Sequence, residues 1–348
     1  MKILVRATNW VGDAVMSLPA VEAIRRRWPN AEISILGRPW VAELYLGQEC
    51  ADRVLIFDHA GRHSGALGVE RLARELHRER FDAAVLLQNA FEAAWIAWRA
   101  GIRERIGYAR DGRGWLLTVP VAVPQAGTIP AHETYYYLEL LRRAGWIERL
   151  PEVQHIRLRV PPAALDHAEG VLRRANVRGG ALRMALAPGA AYGSAKCWPP
   201  ERYAALADRL IADFDADVIL FGAASERATA QRIAALMRHC AVMLAGQTSI
   251  GDLPALLASC HLFVGNDAGA MHVAAAVGLP VVAIFGPTDP EGTRPVTPHC
   301  TLVQHPVSCS PCFLRHCPVD HRCMMRVEVD AVYRAAREWV LRRSAKLV

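Results

Sequence analysis

The chain has 348 residues, 52% of them apolar, and is long enough for two domains of ordinary size. Its 41 basic side chains outnumber 34 acidic ones, leaving a formal charge of +7 supplied mainly by arginine, which favours an anionic partner. No run of eighteen uncharged apolar residues could cross a membrane, and no nucleic-acid module or aromatic–basic alternation occurs, so no nucleic-acid partner is expected. The opening MKILVRATNW enters a strand without the apolar core of a signal peptide, and the nine cysteines do not suggest a disulfide-stapled secreted domain. A cytoplasmic location is expected.

The first predicted strand is Lys2–Ala7, followed by TNWVGDAVMSLP (Thr8–Pro19). Asn9, Gly12 and Asp13 then lie at the carboxyl end of that strand, where open α/β sheets bind ligands. Helical periodicity follows through Val15, Leu18, Val21, Ile24 and Trp28. Asp13 reads either as an acid complementing the helix dipole or as a carboxylate able to take a proton from an attacking hydroxyl. Apolar segments at Ile33–Leu36, Val54–Phe57 and Ala83–Leu87 alternate with helices, one at Ala66–Arg80 and another around Glu133–Ala144. Arg99, Arg103, Arg105, Arg110 and Arg113 form the densest basic stretch, read as a loop with a solvated or anion-facing surface. Proline-bounded Ile147–Pro162 is the expected linker.

The second half repeats the rhythm, with strands at Met184–Ala187, Asp217–Phe221, Val242–Leu244, Leu262–Gly265 and Val281–Phe285. Gly189, Gly222, Gly246, Gly269 and Gly286 follow them in turns, and a last helix is expected near Val329–Arg343. Mainly parallel α/β sheets follow from this alternation. No G-x-G-x-x-G fingerprint or Walker lysine motif appears, which weakens dehydrogenase and NTPase readings. In PGAAYGSAKCWP (Pro188–Pro199), Lys196 precedes a helix start, where a cation opposes the dipole unless an anion is present. Lys196 therefore reads as a phosphate contact or a surface lysine. Glu226 could hydrogen-bond ribose hydroxyls or serve as an ordinary first-turn acid.

VGNDAGAMHVAAAVGLPVVAIF (Val264–Phe285) reads as strand, turn, small-residue helix and strand. Gly269 permits close approach of a ligand, and the free N–H groups of the new helix suit a diphosphate. Alternatively, Asp267 caps the helix and Gly269 only makes the turn. His272, in the helix's first turn, is a packed side chain or a phosphate donor. DFDAD (Asp213–Asp217) imitates a D-x-D metal site but falls at the amino end of its sheet, so a metal-free mechanism is preferred. Cys309, Cys312, Cys317 and Cys323, interleaved with His316 and His321, could hold a structural metal or stay a reduced loop.

Together NWVGDAVMSLPAV, PGAAYGSAKCWP, FGAASE and NDAGAMHVAAAVGLP resemble the ADP-heptose:lipopolysaccharide heptosyltransferases, glycosyltransferase family 9, from about Met1 to Pro290. The WVGD start, the AK-x-WP block and the cysteine-rich tail look most like the branch that adds the second heptose of the inner core. The resemblance implies a GT-B architecture: two Rossmann-like domains with parallel sheets facing a central cleft. It implies an acceptor-binding domain at 1–155, an ADP-sugar-binding domain at 156–325 and a C-terminal helix at 326–348. It carries the catalytic base onto Asp13, the phosphate lysine onto Lys196 and the ribose acid onto Glu226. The diphosphate turn falls on Asp267, Ala268, Gly269 and His272; many relatives have Ser or Thr where this chain has Ala268, so one side-chain donor is missing.

The implied reaction is an inverting, metal-independent transfer from ADP-heptose to a phosphorylated Kdo–lipid A acceptor, with no cofactor required. It implies an enzyme peripheral to the inner face of the cytoplasmic membrane. A sugar-nucleotide 2-epimerase and a non-catalytic ADP-sugar-binding protein are the competing readings.

Overall fold

The computed structural model describes residues 1–344; of the C-terminal segment expected at 326–348, residues 345–348 lie outside the described residues. The chain divides into two units, Met1–Val153 and Gln154 onward. The first contains β1 (Lys2–Arg6), β2 (Glu32–Gly37), β3 (Arg53–Ile56), β4 (Ala83–Leu86), β5 (Glu104–Tyr108) and β6 (Val119–Val121). All are parallel, in the order β3-β2-β1-β4-β5-β6. The second contains β7 (Arg183–Ala187), β8 (Asp217–Leu220), β9 (Val242–Met243), β10 (Leu262–Asn266), β11 (Val281–Ile284) and β12 (Cys300–Val303). Its parallel order is β12-β11-β10-β7-β8-β9. Counted from each unit's own first strand, both sheets have the same doubly wound order, with the reversal between β1 and β4 and between β7 and β10.

Central strands are unbroken apolar runs because helices cover both faces: AAVL in β4, LFVGN in β10 and VVAI in β11 are buried throughout. The helix Val329–Ser344 is built into the second core through Val332, Tyr333, Ala336 and Val340. Leu72, Leu76, Phe81, Ala94 and Ile96 close part of the first core. The segment expected as a linker is irregular up to the helix Pro162–Arg174, and its later part lies on the second unit, Ile156 N–H donating to Val296 O and Leu158 N–H to Ala276 O. The fold is α/β of the GT-B class, with two Rossmann-like units.

Two expectations need correction. The arginine-rich stretch is a loop only in part: Arg103, Arg110 and Arg113 lie between elements, but Arg99 ends the helix Phe91–Arg99, Arg105 lies in β5, and Arg113 is fully buried. Its guanidinium donates to Tyr108 O and Asn89 Oδ1, both at 2.9 Å, which is why the charge can be interior. The single helix expected after β1 is two, Val11–Met16 and Leu18–Arg27, meeting at Ser17 just before Pro19.

Candidate functional site

Every candidate side chain stands on the carboxyl-edge segments of its sheet. In the first unit the chain leaves β1 through Ala7–Trp10 into the short helix Val11–Met16, which carries Gly12 and Asp13. Asp13 is not the N-cap; that position is Trp10, and Asp13 lies in the first turn. Its Oδ1 accepts a hydrogen bond of 3.1 Å from the Tyr137 hydroxyl, on the helix Glu133–Arg143. Burial, and then the Asp13 charge, hold Tyr137 well above the ordinary phenol range, so it remains a proton donor to the carboxylate. Burial and the same charge raise Glu133. Asn9 accepts from Arg6 Nη2 at 2.8 Å through Oδ1, and its carbonyl accepts from Trp40 Nε1 at 2.9 Å.

In the second unit the reversal point of the sheet is bridged by side chains. Asn266, the last residue of β10, donates through Nδ2 to Pro188 O at 2.6 Å and accepts through Oδ1 from Trp198 N–H and the Tyr203 hydroxyl. Asp267, only 4% exposed, takes Lys196 Nζ at 2.6 Å and the Thr288 hydroxyl at 2.6 Å, both on Oδ2. The anion that Lys196 requires at its helix start is thus supplied by Asp267. Lys196 Nζ also lies 4.9 Å from the centre of the Tyr192 ring. Asp267 does not cap the next helix: the N-cap of Gly269–Ala276 is Ala268, with no side-chain bond, and His272 is buried within the helix.

Glu226, in the turn after β8, accepts from Ala223 N–H at 2.8 Å through Oε2. Burial raises its carboxyl above the ordinary range. A Cβ at Gly189 would overlap that carboxylate, which explains a glycine after β7. Lys196, Glu226, Asp267, Ala268, Gly269 and His272 thus belong to one unit, and Asn9, Gly12 and Asp13 to the other.

The cysteine-rich segment docks on the loop that bears Lys196. Tyr192 hydroxyl donates to Phe313 O at 2.6 Å, Ala195 N–H donates to Arg315 O at 3.0 Å, and Ser194 Oγ and His316 Nδ1 lie 2.9 Å apart. His321 Nε2 lies 2.7 Å from Ala195 O. A Cβ at Gly193 would strike the Arg315 carbonyl. The metal considered for Cys309, Cys312, Cys317 and Cys323 has no support: among the described residues, no three His, Cys, Asp or Glu side chains are grouped to hold one. Cys323 is buried against the Gly286 turn, while Cys309, Cys312 and Cys317 are exposed free thiols. The DFDAD carboxylates are used otherwise: Arg178 pairs with Asp215 and Asp217, each at 2.8 Å, and Asp213 accepts from Tyr333.

Sequence reasoning missed Tyr137 and Thr288, the partners of Asp13 and Asp267. Neither lies near its partner in the chain, so no local pattern could reveal them.

Two parallel, doubly wound sheets of the same order, each with its candidate residues after the carboxyl ends of its strands, are an architecture found in glycosyltransferases. Residues 69–322 match glycosyltransferase family 9 (heptosyltransferase), and the chain belongs to that family. It is 30% identical to the lipooligosaccharide heptosyltransferase 2 of Haemophilus influenzae, over 87% of this chain and 88% of that one. It is likewise 30% identical to the lipopolysaccharide heptosyltransferase 2 of Escherichia coli, with the same shares covered. The solved E. coli ADP-heptose lipopolysaccharide heptosyltransferase II superposes with a TM-score of 0.83 at 27% identity, covering 99% of this chain and 100% of that one. Membership in this enzyme family sets aside the epimerase and the non-catalytic binder.

Proposed function

We propose that this heptosyltransferase transfers heptose from ADP-heptose onto heptosyl-Kdo-lipid A, adding the second heptose of the inner core with inversion and without a metal. The observation that carries the reading is the 30% identity to heptosyltransferase 2 proteins along 87% of the chain.

An inverting displacement needs a base at the acceptor hydroxyl and a charge acceptor at the leaving diphosphate. Asp13 supplies the base. Its bond from Tyr137 orients one carboxylate oxygen, so Asp13 takes the hydroxyl proton as the acceptor oxygen attacks the anomeric carbon. Lys196 supplies the cation, moving from Asp267 to the diphosphate, and the first-turn N–H groups from Gly269 add partial positive charge. With Ala268 at the N-cap, backbone donors and His272 serve where a hydroxyl is absent. Glu226 takes the ribose hydroxyls.

The first unit, 1–155, would bind the acceptor and 156–325 the ADP-sugar. Peripheral contact with the inner membrane is supported by an exposed aromatic group: Phe91, Trp98 and Trp115, with Trp115 66% exposed and its ring 6.2 Å from that of Trp98.

Mass spectrometry of defined truncated-core acceptors incubated with ADP-heptose tests the reading. One heptose should be added to heptosyl-Kdo-lipid A and none to Kdo-lipid A, also in excess EDTA. Addition to Kdo-lipid A instead would reassign the step, and loss of transfer restored by magnesium would end the metal-free mechanism.

A further inference from the structure

Just past the carboxyl ends of β1 and β2, two buried guanidiniums share one bonded carboxylate. Arg6, the last residue of β1, is 2% exposed, and Arg38, directly after β2, is 7% exposed. Both guanidiniums lie against one ring, their central carbons 5.5 and 4.1 Å from the centre of Phe57. Arg6 donates through its terminal nitrogens to Ala7 O at 2.5 Å, Leu36 O at 3.4 Å and Asn9 Oδ1 at 2.8 Å. Arg38 donates through Nη2 to Glu92 Oε2 at 3.3 Å. Arg6 Nε and Arg38 Nη1 are enclosed and make no hydrogen bond.

Glu92 is the carboxylate bonded in this cluster, and its other oxygen lies 3.8 Å from His59 Nδ1. One carboxylate therefore stands against two guanidiniums. Burial, and then Arg38, push Arg6 down to about 10. Arg113 is the contrast. It is as deeply buried, yet each of its side-chain nitrogens is used, by Tyr108 O, Gln88 O, Ala90 O and Asn89 Oδ1. A satisfied buried arginine is structural; two adjacent ones with idle N–H groups await an acceptor. Arg6 ends the strand beside which the order reverses, and Asn9 lies in the loop that follows it, where α/β sheets take ligands. Planar guanidinium forks select carboxylate and phosphate.

We propose that Arg6 and Arg38, with Asn9 holding Arg6 in place, form an anion subsite for an acidic group, carboxylate or phosphate, of the acceptor. Glu92 acts as the exchangeable counter-ion, leaving Arg38 when that group arrives. The identity of the occupant rests on the acceptor role proposed for this unit; the anion site does not.

The test uses the full chain with ¹⁵N-labelled arginine, following the Nε–H resonance of Arg6 while inorganic phosphate or acetate is added. The expected result is a saturable shift, with the midpoint raised at least tenfold in Arg38→Gln and lowered in Glu92→Gln. Arg38→Lys, which keeps the charge and loses the fork, should stay weakened even if Arg38→Gln folds poorly. A tighter midpoint for one anion identifies the acidic group. In transfer assays Arg38→Lys should raise acceptor KM at least tenfold and leave kcat within a few-fold. No saturable shift, or the same midpoint in the wild type and Arg38→Lys, overturns the site even if heptose transfer proceeds. A saturable, Arg38-dependent shift in a protein that transfers no heptose supports the site and overturns the acceptor as its occupant.

Discussion

The two sheets share one strand order but carry opposite kinds of carboxyl edge. In the first unit, cations cluster: Arg6 and Arg38 share Phe57, and the catalytic candidate Asp13 is held by a neutral phenol. In the second, charges are matched: Lys196 and Asp267 form a buried pair 2.6 Å apart. The difference teaches what topology leaves undecided. A doubly wound sheet fixes where a ligand lies, while loop residues beyond each strand decide whether that place handles a proton or a phosphate.

The largest expected effect falls on the proton side. Asp13→Asn keeps the Tyr137 contact sterically possible but removes the base, so turnover should fall at least ~100-fold while ADP affinity stays within a few-fold. Single-turnover kinetics and calorimetry check the two halves. Near-normal turnover would return Asp13 to a helix acid and erase the contrast between the edges.

Next comes the phosphate side. Lys196→Ala removes a charge-assisted contact worth roughly 1.5–3 kcal/mol. Donor affinity should drop by about the matching factor, roughly ten to a hundred-fold. The loss is deepened, because the variant leaves the buried Asp267 carboxylate without its cation, with Thr288 still donating to it. Asp267→Asn sharpens this point: with the counter-charge gone, Lys196 should bind ADP more tightly if the pair is a resting state. Unchanged ADP affinity in both variants would make the pair purely structural.

How much of this was legible in the sequence follows from burial. Strands covered on both faces, such as AAVL and VVAI, are apolar runs that announce themselves. The strands passed over are short, charged or at an edge: ERIGY in β5 carries two charges, VPV in β6 has Pro120 on the sheet's edge, and CTLV in β12 is only half-buried. The candidate residues were legible because glycine, acid and lysine stand in fixed order after strands. Their partners were not. Tyr137 and Thr288 meet Asp13 and Asp267 only through the sheet's crossovers, and Arg6 looked like one more strand residue until Phe57 and Arg38 closed around it.

A smaller effect is expected from the docking of the cysteine-rich segment. Gly193→Ala places a methyl group against the Arg315 carbonyl, so the segment must shift and the loop carrying Lys196 shifts with it. Donor KM should rise several-fold, by about tenfold at most, with a lower melting temperature. An unchanged KM with a lower melting temperature would separate the segment from the phosphate side and leave it a purely structural clasp.

The smallest effect is a pH dependence at Glu226. Burial raises its carboxyl above the value of the unfolded chain, partly offset by the Ala223 N–H bond. The unfolded chain therefore loses this proton at lower pH than the folded one. Protonated Glu226 contributes stability fully present below the unfolded pKa, roughly 4.3, and lost as pH rises through the folded value. Glu226→Gln removes that loss, so the variant should gain stability relative to the wild type across this window and hold a constant difference above it. Each unit of displacement is worth about 1.4 kcal/mol, which urea titrations at pH 4 to 7 can resolve. The same variant should weaken ADP binding only a few-fold, since an amide still reaches a ribose hydroxyl. A stability difference that stays flat from pH 4 to 7 would show that burial costs this carboxylate nothing, and that Gly189 is small for some reason other than seating it.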